Sequence, residues 1–121
     1  MAGTMFERYG GFASVSKIVM SLYDKLLDSD VSGPYFENVD MRRLIDHQTK
    51  FVSQVMGGPA SYTNEQLQQL HEHLNITDEA FGEVMTLFEE TLEDFEFSPN
   101  DVQFIIRDLK SRKPWIVSED A

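Results

Sequence analysis

Val15, Ile18, Val19, Leu22, Tyr23 and Leu26 stand at i, i+3, i+4, i+7, i+8 and i+11, a spacing that only an α-helix gathers onto one face. This stripe is the strongest constraint in the chain, because a helix over 13–27 with so wide an apolar face has to bury it against neighbours. The same spacing returns three times. Leu44, Phe51, Val52 and Val55 share one face, and Gly57-Gly58-Pro59 closes that helix. Phe81, Val84, Met85, Phe88, Leu92 and Phe95 line a long helix with Thr77 as its N-cap and acidic residues in its first turn. Val102, Ile105, Ile106 and Leu109 line a last helix that opens with Ser98 as N-cap and Pro99 at its first position. A shorter helical piece lies around 64–74, and Gly33-Pro34 forms a corner after the first stripe. No segment sustains period-two alternation. The chain is expected to be all-α, a single domain over 1–121, with flexible ends at 1–5 and 112–121.

Composition narrows the function. Twenty-one acidic against ten basic residues leave a net charge of −11, which disfavours nucleic acid or an anionic membrane as a partner. With no cysteine there is no disulfide, thiolate metal site or cysteine nucleophile. No apolar stretch approaches the ~20 residues that span a bilayer, and "MAGTMFERYGG" has neither the basic start nor the apolar run of a signal peptide. The expected compartment is the cytoplasm.

Chemistry concentrates where polar groups interrupt apolar stripes. In the helix that begins at Leu44, the i+3 and i+4 slots hold His47 and Gln48. Burying such groups without partners costs about 1–3 kcal/mol each, so they either reach water or meet something polar inside. In the short helix His71 falls on the face of Leu67, Leu70 and Leu74, while His73 projects elsewhere as a surface residue. An inward histidine is commonly a hydrogen-bonded core residue, and an inward tyrosine such as Tyr23 commonly finds a local carbonyl. Together, however, the four groups suggest a buried polar site among aromatic and branched side chains. Zinc fits poorly without more imidazole or a carboxylate cluster, and "HEH" puts its histidines on different faces. There is no nucleophile elbow or phosphate-binding loop, and Glu89-Glu90 and Glu93-Asp94 read as a solvated face. An apolar cavity with one axial histidine is what haem needs, and hydrogen-bond donors on the opposite side would stabilise bound O2.

The order of the landmarks then carries a resemblance. "FERYGG" at 6–11, "LYDKLL" with Tyr23, "PYFENVDM" with Phe36, "HQTKF" with His47, Gln48 and Phe51, "GGPASYT" at 57–63 and "LQQLHEHLNI" with His71 follow one another as in the truncated, or 2-on-2, haemoglobins, most closely their first group. The resemblance implies a truncated globin fold, a two-over-two helical sandwich around a haem. It makes His71 the proximal iron ligand, Tyr23 and Gln48 the distal pair facing the sixth coordination site, and Leu44 the occupant of the usual distal-histidine place. Phe36, Phe51, Leu67, Ile76, Phe81 and Val84 would line the pocket, and the two glycine pairs match the family's turns.

Relatives carry at the position of His47 either a lysine that reaches a haem propionate or a histidine that itself binds iron. Both a six-coordinate form through His47 and a five-coordinate form follow, with the six-coordinate form favoured in the unliganded protein. Relatives with covalent haem carry another histidine in the last helix, and "KSRKPWIV" has none, so the expected cofactor is non-covalent haem b. The implied activity is reversible binding of O2, and also of CO and NO, by a monomer. An enzymatic alternative is a nitric oxide dioxygenase, with an unidentified reductase restoring ferrous iron. A weaker alternative drops haem, leaving an acidic helical adaptor.

Overall fold

Most of the longer helices start where the sequence supplies an oxygen for their unpaired amide groups. In the computed structural model, which describes residues 4–59, 62–71 and 76–117, the Thr4 side chain caps α1 (Met5–Arg8) in a reciprocal capping box with Glu7. Asp40 caps α3 (Met41–Val55), Thr77 caps α5 (Asp78–Asp94) and Ser98 caps α6 (Pro99–Ser111), each accepting from an amide three residues on. The helix α2 (Gly11–Asp28) instead begins after Gly10, whose φ of 106° turns the chain sharply out of α1. A 3₁₀ turn (Gly33–Phe36) makes the Gly33-Pro34 corner, α4 (Asn64–His71) is short, and α7 (Lys113–Ile116) is a single turn. Among the described residues there is no strand, and no helix is long and apolar enough to cross a membrane.

The stripes bury one another as their spacing requires. α2 packs on α3 and on α5, α5 packs on α6, and α3 also meets α6. The result is one helix pair laid over another, the two-over-two sandwich. Val15, Ile18, Val19, Leu92 and Ile105 are completely buried where these layers meet. Two polar side chains are equally buried, Ser53 and Thr91, and sequence periodicity does not anticipate them. Each donates its hydroxyl to the carbonyl four residues earlier at 2.7 Å, as Thr49 does, so none of these three hydroxyls is left unpaired.

Sequence marks residues 112–121 as a flexible end. In the structure Trp115, Ile116 and Val117 pack against the core, and α7 lies on α4. Lys113 pairs with Asp78 at the start of α5. Residues 118–121 of that end lie outside the described residues. On α5, Glu90 and Asp94 are exposed as expected, but both reach Lys25 of α2, Asp94 at 2.8 Å.

Two contacts fix the amino-terminal turn. Gly57 has a φ of 90°, and at Gly58 a Cβ would come within 2.8 Å of the Phe6 ring and 2.9 Å of the Ser53 carbonyl. Replacing Gly58 by alanine is therefore expected to cost about 1–3 kcal/mol, seen as a lower thermal midpoint. Farther along, the Tyr9 ring stacks on Phe97, with centroids 3.7 Å apart, and its hydroxyl donates to Asp101 at 2.6 Å. That hydrogen bond, helped by Arg8 at 3.3 Å and by Ser98, holds the Asp101 carboxyl below the usual carboxylate range. Because the folded state favours the ionised form, this stability is complete above the ordinary carboxylate pKa. It is lost as pH falls through the lowered value. A series of thermal melts from neutral to acid pH should show Asp101→Asn with a lower midpoint at pH 7 and a shallower acid decline.

Candidate functional site

Between the helix pairs lies a cavity of about 570 Å³, within the ordinary range for small-molecule and cofactor sites. Its walls are overwhelmingly apolar, from Val19, Leu22 and Leu26 of α2 to Phe81, Met85 and Phe88 of α5. Helices α3 and α4 both border it without packing extensively on one another. Nearly every sequence-predicted residue comes to this one space. Tyr23, Phe36, Leu44, His47, Gln48, Phe51, His71, Ile76, Phe81 and Val84 all line it. Leu67 is buried in the core but does not line the cavity; its backbone carbonyl matters instead. His73 lies outside the described residues.

The two inward histidines are both anchored through Nδ1. His71 Nδ1 stands 2.7 Å from the carbonyl oxygen of Leu67, one helical turn earlier. A carbonyl can only accept, so Nδ1 carries the proton and Nε2 carries the lone pair. A backbone carbonyl on the far nitrogen is the usual companion of a metal-ligating imidazole. His47 Nδ1 stands 3.3 Å from the Tyr62 hydroxyl.

Tyr23 is buried, and its ring meets Phe36 edge to face at 5.4 Å. Burial pushes the Tyr23 hydroxyl's pKa far up, so at neutral pH it is a protonated donor. Neither that hydroxyl nor the Gln48 amide forms a hydrogen bond with another described residue. Two donors therefore border an apolar space.

Several lining residues escape sequence reasoning. Tyr35 follows the Gly33-Pro34 corner, and its hydroxyl accepts from the Thr77 amide at 3.4 Å. Arg43, adjacent to Leu44 on α3, is exposed and is the only lysine or arginine among the described residues on the wall. Its position one step off the apolar stripe was a usable signal. Ile116 has no such signal, since only the docking of α7 brings it in.

Comparison with known proteins matches residues 4–118 to a family described as bacterial-like globin. The chain belongs to that family. Among curated relatives, the group 1 truncated hemoglobin of Tetrahymena thermophila is 28% identical over 95 residues, 78% of each chain. Truncated hemoglobin from Tetrahymena pyriformis, solved in its Fe(III) form, superposes with a TM-score of 0.86. It is 20% identical and covers 97% of this globin and 100% of its own chain. The 2/2 hemoglobin of a Synechococcus species, solved in a cyanomet state with covalently attached heme, gives 0.82 at 24% identity, covering 94% and 98%. The globin thus has the two-over-two fold and is similar to truncated haemoglobins, as its sequence landmarks imply.

The residues present fit a haem. No group of three or more His, Asp or Glu side chains able to hold a bare metal ion occurs among the described residues. A single well-anchored imidazole such as His71 is enough only when a cofactor supplies the other ligands, as a porphyrin does. The apolar walls suit a large hydrophobic ring, and Arg43 at the exposed edge suits its carboxylates.

Proposed function

We propose that this globin holds haem b non-covalently through His71 Nε2 and binds O2 reversibly, along with CO and NO. Haem supplies a ferrous iron able to take a diatomic ligand at its sixth position. His71 would hold that iron through Nε2, because its Nδ1 proton is committed to Leu67, the observation that carries this reading. Phe36, Phe51 and Phe81 line the cavity and would keep water from the ring, and Phe36 also restrains Tyr23. Tyr23 and Gln48 donate hydrogen bonds to the ligand. In the unliganded protein His47 would be the second residue to hold the iron.

Non-covalent attachment agrees with the sequence, which has no histidine beyond residue 73. Titrating the purified protein with haemin tests the reading. One equivalent should produce an intense absorption band at the blue edge of the visible, and the reduced form should shift reversibly with O2 and CO. A featureless titration, or haem extractable only under conditions that cleave a covalent bond, would refute it.

A further inference from the structure

The polar contact beside His47 is built in two steps. The Gln54 side chain clasps the backbone of Tyr62 from both sides. Its Oε1 accepts from the Tyr62 amide at 2.6 Å, and its Nε2 donates to the Tyr62 carbonyl at 3.1 Å. The Tyr62 ring then meets Phe51 edge to face at 6.2 Å, and Phe51 in turn lies beneath the Arg112 guanidinium. Backbone and ring being held independently, the Tyr62 hydroxyl has a fixed place, and there it meets His47 Nδ1 at 3.3 Å.

We propose that Tyr62, clasped by Gln54, is a positioning residue that keeps His47 protonated on Nδ1, so that Nε2 is the nitrogen it offers to iron. The inference rests on the haem reading and says which device tunes the sixth position. A hydroxyl can either accept from Nδ1 or donate to it, and the two cases have opposite effects. If Tyr62 accepts, the imidazole proton sits on Nδ1 and Nε2 is free to ligate. If Tyr62 donates, the proton moves to Nε2 and ligation is blocked. The separation favours the first case. At 3.3 Å it is just beyond the N–H donor range and well beyond the shorter distances that a hydroxyl donor prefers. It also repeats the scheme of His71, whose Nδ1 is likewise committed to an oxygen.

The test uses the haem-loaded ferric protein at neutral pH and reads its spin state by absorption and electron paramagnetic resonance. Tyr62→Phe keeps the ring on Phe51 and removes only the hydroxyl. The ratio of low-spin six-coordinate to high-spin haem should fall about fivefold, the worth of one ordinary hydrogen bond. Gln54→Leu should move it in the same direction by less. In a His47→Leu background, Tyr62→Phe should change nothing, a result that a merely structural role would not give. Nitrogen NMR of the diamagnetic carbonmonoxy form should place the His47 proton on Nδ1.

An unchanged or raised ratio in Tyr62→Phe, a proton on Nε2, or a parent already wholly high-spin would overturn the proposal. Failure of the haem reading looks different, since neither parent nor variants would then show haem absorption, and the positioning role would fall with it.

Discussion

Replacing His71 by leucine is expected to abolish stable haem binding while leaving the helices folded. The leucine side chain is close in volume and the position is only half-buried, so the substitution creates little cavity and buries no new polar group. What it removes is the one axial nitrogen anchored by a backbone carbonyl. Changing only the outer partner of a metal-ligating histidine typically costs 10–100-fold in affinity, so losing the ligand itself should cost roughly 100-fold or more. Haemin titration with circular dichroism on the same samples separates loss of ligation from loss of fold. A glycine at residue 71 adds a stricter control, because free imidazole can then enter the space and should restore the axially ligated spectrum. Should His71→Leu keep both the affinity and the spectrum of the parent, another residue holds the iron.

The second large effect concerns the opposite ligand. Tyr23→Phe should raise the O2 dissociation rate roughly tenfold, and Tyr23→Phe with Gln48→Leu should approach 100-fold. Hydrogen bonds to an acceptor that develops negative charge are worth about 1.5–3 kcal/mol, and each 1.4 kcal/mol is a factor of ten in rate. Both donors border the apolar cavity without a partner among the described residues, so no competing acceptor weakens them. The CO dissociation rate should change far less, since bound CO develops little charge on its outer atom. Because burial keeps the Tyr23 hydroxyl protonated well above neutrality, its contribution should not vary between pH 6 and 9. Stopped-flow displacement of O2 by CO measures the rates. Equal rates in parent and double variant would remove Tyr23 and Gln48 from this role.

Helix positions were legible in the sequence because periodicity and capping act locally. Thr77 and Ser98 cap the helices predicted from them, and the buried faces of α2 and α6 are the stripes read from spacing. Legibility failed where a residue satisfies itself or is satisfied from afar. Thr49 and Ser53 are polar by type and buried in fact, because each returns its hydroxyl to its own helix. Leu67 shares the inward face of His71 yet contributes a carbonyl to the site instead of a side chain on its wall.

The sequence by itself determined that the chain is helical, and that His47, Gln48, His71 and Tyr23 stand on faces turned inward. Spacing alone sets these, since 3.6 residues per turn depends on no other part of the molecule. Only the tertiary structure decided which group meets His47 and what borders the cavity besides the stripes. Those outcomes depend on groups far apart in the chain or on the path of a loop. Tyr62 meets His47 across fifteen residues, Tyr35 meets Thr77 across forty-two, and Ile116 arrives only because α7 docks on α4. A hydrogen bond selects a tautomer through distance and direction, and those exist only once the chain has closed around them.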